Sequence, residues 1–122
     1  MKKLINTLMF VILLGFFGNA QNAVIEDNLQ EVMNQSNEEM ISVNIILKSQ
    51  VKTAEIRSWA ERTNDREMRQ DIIIEGLKKH SAIEQADVLS ILDAEKRTNS
   101  VSDVKSHWLV NSINCKATRD VI

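Results

Sequence analysis

Residues 101–122 read VSDVKSHWLVNSINCKATRDVI, and the alternation within this stretch decides the fold. Val104, Ser106, Trp108 and Val110 alternate with Lys105, His107 and Leu109, which predicts a strand whose side chains take opposite faces in turn. Ile113, Cys115 and Ala117 predict a second strand, with the turn around Asn111-Ser112, residue types that tolerate turn geometry. Thr118-Arg119-Asp120 reads as the opening of a helix, because the Thr118 oxygen can accept from an orphan N–H of a first helical turn. The sequence stops at Ile122, so the fold is expected to lack its last helix and strand.

Working backwards, Ile41, Val43, Ile45 and Leu47 alternate with Ser42, Asn44, Ile46 and Lys48, and predict a strand with one strongly apolar face. Ile46, on the other row, suggests that the second face is partly covered. From about Thr53 to Lys96 there is no proline, only Gly76 as a breaker, and abundant Ala, Glu, Lys, Arg, Gln and Leu, so the stretch is predicted helical with a break near Thr63-Asn64-Asp65. Three apolar patches along it are read as core: Ile56, Trp59 and Ala60; Met68, Ile72, Ile73 and Leu77; Val88, Leu89, Ile91 and Leu92. Asn99-Ser100 ends the helix. Ile25, Leu29, Val32 and Met33 add a short amphipathic helix that is expected to cap the core. Strand, helical run, strand, turn, strand is the order of a split β-α-β unit in the α+β class.

Residues 1–20 carry a basic start at Lys2-Lys3, an apolar run from Leu4 to Phe17 and small residues at Gly18-Asn19-Ala20, the pattern of a secretory signal cut before Gln21. The run is shorter than the roughly 18–20 residues a membrane span needs, so no stable anchor is expected after cleavage, and the product is expected to be secreted or periplasmic. About 100 residues remain, enough for one small domain with a single core. Acidic and basic residues are mixed, with a net charge of −2, so no basic stripe points to nucleic acid. The single cysteine excludes an internal disulfide, and with two distant histidines it gives no zinc-type ligand spacing, so neither metal nor cofactor is expected. Cys115 is read as a small buried apolar residue. His80-Ser81 and Ser106-His107 are sequence neighbours, but neighbours on a helix or strand point apart, and no nucleophile elbow accompanies them. No enzyme is expected. Trp108, on a face with Val104 and Val110, is read as core, with an interface anchor as the alternative.

The segments ISVNIILKSQV, HSAIEQADVLSIL and VSDVKSHWLVNSINCKAT, in that order, resemble the N-terminal prodomain of secreted subtilisin-like serine proteases, in particular the bacillopeptidase F-like branch. The match is carried by Leu47-Lys48-x-Gln50, Trp108-Leu109-Val110-Asn111 and Ala117-Thr118-x-x-Val121-Ile122. The resemblance implies a ferredoxin-like domain that templates the folding of its protease and then blocks it, here as a partial prodomain over 41–122 after a short helix and linker at 21–40. It implies a subtilisin-like protease domain as partner, and a docking sheet face that would include Lys105, His107 and Leu109. The sequence departs from the family where the second helix, the fourth strand and the inhibitory tail would follow. It also holds no Asp-Thr-Gly, His-Gly-Thr or Gly-Thr-Ser segment of a catalytic triad. The absent strand would leave 41–48 as an open edge prone to self-association. The alternative reading is a small exported interaction or structural module with no protease partner.

Overall fold

The computed structural model describes residues 24–122; the expected leader lies outside the described residues. The elements, in order, are α1 (Asp27–Gln35), β1 (Ile41–Ile46), α2 (Thr53–Ala60), α3 (Arg66–Arg97), β2 (Val101–His107) and β3 (Ser112–Ala117). The described residues divide into two units, 24–31 and Val32–Ile122. Helix α1 has Asp27 in its first turn, where a carboxylate suits the positive end of the helix dipole, and it buries none of its residues.

In the second unit the sheet has the order β1-β3-β2, with β3 antiparallel to both neighbours. Strands β1 and β2 therefore run parallel to each other, and the chain crosses between them through α2 and α3. The chain is thus of the α+β class, with a three-stranded antiparallel sheet, α3 packed on one face of it and α2 packed on α3. Ile41, Val43 and Ile45 face the interior opposite Ala117, Cys115 and Ile113, while Ser42, Asn44 and Ile46 face outward opposite Lys116, Asn114 and Ser112. Ile113 is fully buried and Val101, Cys115 and Ala117 nearly so, packed with Leu92 and flanked by Val88, Leu89 and Val104. Apolar burial of this kind stabilises by about 25 cal/mol per Å² and makes this layer the core.

Local chemistry sets the boundaries of the helices. Asp65 stays extended and accepts the Met68 N–H at 2.8 Å through Oδ1, which caps α3 and explains the break after α2. Asn99, in left-handed geometry at φ 59°, carries the chain out of α3 towards β2. Gly76 does not break the helix. A Cβ there would lie 2.6 Å from the Trp59 ring, so the glycine is what lets α2 lay its indole against α3.

Strand β2 begins and ends earlier than its alternation predicts. Ser102 pairs with Lys116 but Lys105 with Asn114, so β2 holds one extra residue in a bulge, with Asp103 at φ 52°. The bulge turns both Val101 and Val104 towards the helices although they are three residues apart. His107 pairs with Ser112, leaving Trp108 to Asn111 as a four-residue turn closed by Asn111 at φ 42°. The expectation of Trp108 and Val110 as strand and core residues is corrected accordingly: all three apolar residues of the turn are exposed, and Trp108 instead receives the Lys78 ammonium 5.9 Å from its ring centroid. Ile46, Met68 and Ile91 are exposed as well, so the apolar patches read from sequence were too wide and the second sheet face is uncovered at Ile46. Beyond Ala117 the expected helix opening is a turn closed by Val121 N–H to the Thr118 carbonyl at 3.1 Å, from which Val121 and Ile122 pack against the core.

Candidate docking face

The outward face of the sheet follows from the pleat. Ser42 and Lys116 lie opposite each other at one end, Asn44, Asn114 and Lys105 form the middle row, and Ile46, Ser112 and His107 the next. A shallow depression of about 470 Å³ is lined here by Ser42, Asn44, Asp103, Lys105, Asn114 and Lys116. Asp103, thrown outward by the bulge, pairs with Lys116 at 3.1 Å. Lys105 has no ion pair among the described residues, so the face presents one uncompensated cation among amides and hydroxyls. Of the expected docking residues, Lys105 and His107 share this face as successive outward positions. Leu109 does not: it sits in the turn beyond the strand, 66% exposed.

The turn is held by a buried polar cluster that the hydrophobic pattern conceals. Gln85 of α3, 1% exposed, donates through Nε2 to the Asn111 side-chain oxygen at 3.0 Å and to the carbonyls of His107 at 3.1 Å and Ser112 at 3.4 Å. Its Oε1 accepts the Ser106 hydroxyl. Asn111 in turn donates from Nδ2 to the Ser49 carbonyl at 2.6 Å, and its own carbonyl accepts the Leu47 N–H at 3.1 Å. One helix residue thereby fixes both ends of the β2–β3 turn, and one turn residue fixes the chain leaving β1. The sequence signal was positional: Leu77, Ser81, Gln85 and Leu92 are the buried residues of α3, spaced at three- and four-residue multiples, but two of the four are polar.

The remaining reactive side chains are engaged elsewhere. His80 Nε2 lies 2.9 Å from the Ser49 carbonyl, which can only accept, so this nitrogen carries its proton and is no base for the Ser49 hydroxyl 3.4 Å away. Ser81 donates to the Lys78 carbonyl and Ser106 to Gln85, so neither is paired with the histidine beside it in sequence. Cys115 is buried, and desolvation pushes its thiol pKa up, which keeps it protonated and unreactive. Among the described residues no group of three or more His, Cys, Asp or Glu is placed to hold a metal ion, and no helix is long and apolar enough to cross a membrane. The chemistry offered by the outer face is hydrogen bonding and charge, suited to contact with another surface. No protein-family model, curated protein or solved structure matches this chain.

Proposed function

We propose that the chain is the folding module of a secreted subtilisin-like serine protease, a ferredoxin-like prodomain segment that carries no catalytic residues of its own. The observation that supports this reading is the sheet itself. Parallel β1 and β2 flank antiparallel β3, α3 covers one face, and the opposite face is lined by polar side chains. Ser42, Asn44, Lys105, His107 and Asn114 supply donors and acceptors for a rim of hydrogen bonds, and exposed Ile46 supplies an apolar contact within it. A module that binds the folded catalytic domain and not its unfolded chain shifts the folding equilibrium by mass action; it speeds folding when the same contacts form in the transition state.

The test supplies the chain in trans to subtilisin-like catalytic domains of the same organism, each denatured and refolded without its own prosegment. A rise of about tenfold in the rate at which activity returns with at least one of them is the expected result, equivalent to about 1.4 kcal/mol off the folding barrier. Lys105→Glu is expected to reduce the rise. No rise and no binding with any of them would leave an exported interaction module without a protease partner as the better account.

A further inference from the structure

The two edges of the sheet are built differently. Edge strand β2 carries the protections that keep sheets from pairing with one another: a bulge at Asp103, a register shift, and the charges of Asp103 and Lys105. Edge strand β1 has none, since ISVNII contains no charge, no proline and no bulge, and its register with β3 is unbroken from Ile41 to Ile46. The Leu47 N–H bonds to the Asn111 carbonyl at 3.1 Å, which continues the β1–β3 register by one residue. Odd-numbered residues of β1 therefore direct their backbone groups towards β3, and Ser42, Asn44 and Ile46 direct theirs to the edge with which no strand pairs among the described residues.

We infer that this edge is a dimer interface, in which β1 pairs antiparallel with β1 of a second copy. With Asn44 opposite Asn44 of the second copy on the twofold axis, Ser42 meets Ile46 and Ile46 meets Ser42, so all three outward-directed residues of each strand form bonded pairs. The same register sets Val43 against Ile45 on the interior face and keeps both helical layers on one side of a six-stranded sheet. The flanks agree in charge. Glu38 and Glu39 precede β1 and Lys48 follows it; all three are exposed and without an ion pair among the described residues. Antiparallel pairing brings Lys48 of each copy beside the acidic pair of the other, twice over, whereas a parallel arrangement would set like against like. Because β2 is protected, the assembly closes at two. The pairing runs through the backbone edge of these residues and needs no protease partner.

Sedimentation equilibrium on the full chain as recovered after expression, across a wide concentration range, tests the inference. A reversible monomer–dimer equilibrium is expected. Asn44→Pro removes an N–H that serves the open edge and not β3, so it is expected to give a monomer with the far-ultraviolet dichroism of the parent. Lys48→Glu, and Glu38→Lys with Glu39→Lys, are each expected to weaken dimerisation about tenfold, and the three substitutions together to restore it. Should the proline variant fail to fold, the charge series decides. A chain monomeric at every concentration, a dimer indifferent to Asn44→Pro, or charge variants whose combination restores nothing would each overturn the inference.

Discussion

At the scale of single residues, the positions that matter most are polar ones in apolar surroundings. Gln85 bonds two backbone carbonyls, a side-chain amide oxygen and a hydroxyl from within the helix layer, and removing it takes this donor from the buried Asn111 side-chain oxygen. Gln85→Leu is expected to cost about 2–3 kcal/mol in urea unfolding, despite the larger apolar surface it buries. Asn111 combines two roles, which substitution separates. Asn111→Gly keeps the positive φ and loses only side-chain bonds, whereas Asn111→Ala loses both, so alanine is expected to be the worse by about 1 kcal/mol. Equal costs would show that the left-handed backbone is not a constraint there. Cys115 offers a test by pH. Its folded pKa is raised above the ordinary 9.0, so the unfolded chain releases the proton first; the stability held by the neutral thiol is complete below pH 9 and falls as pH rises through that value towards the folded one. Cys115→Ala is expected to flatten this alkaline slope in denaturant titrations, and an unchanged slope would assign it to other groups.

At the scale of elements, what was legible in the sequence was whatever a period of two or a capping residue controls. The alternation of Ile41, Val43 and Ile45, that of Ile113, Cys115 and Ala117, and the break at Asp65 all became elements as read. The end of β2 was not legible, because Trp108, Leu109 and Val110 continue an apolar alternation that only Gln85, from another element, interrupts. The bulge was equally hidden, since two valines three apart read as opposite faces until Asp103 takes a positive φ. On the candidate face the same error separated Leu109 from Lys105 and His107. By propensity Gly76 is a breaker, whereas in the fold its role is the contact with Trp59. Gly76→Ala would gain about 1 kcal/mol of helix propensity alone, but overpacking against the ring costs roughly 1–3 kcal/mol, so a net loss is expected. In a Trp59→Ala background the same change is expected to stabilise. Thermal melts of the four proteins in this cycle check the coupling, and strictly additive effects would mean that the indole moves aside at no cost.

At the scale of the whole molecule, the core is small. The nearly inaccessible apolar side chains of the described residues are confined to one layer under the sheet, and on the inner row of β1 Val43 and Ile45 are only half-buried. A domain of about 100 residues with so little fully buried apolar surface belongs at the low end of the usual 5–15 kcal/mol, where any association of the folded form adds visibly to stability. If the native species is the β1-paired dimer, unfolding couples to dissociation and the melting temperature must rise with concentration. With an unfolding enthalpy of about 60–80 kcal/mol for each chain, the rise is about 3–4 °C for every tenfold increase in protein. Differential scanning calorimetry at three concentrations spanning a hundredfold measures it. Asn44→Pro is expected to melt lower and at the same temperature throughout, because a monomer has no concentration term. A parent chain whose melting temperature stays constant across that range would show that its stability comes from its own core alone, and that the open edge of β1 adds nothing to the folded state.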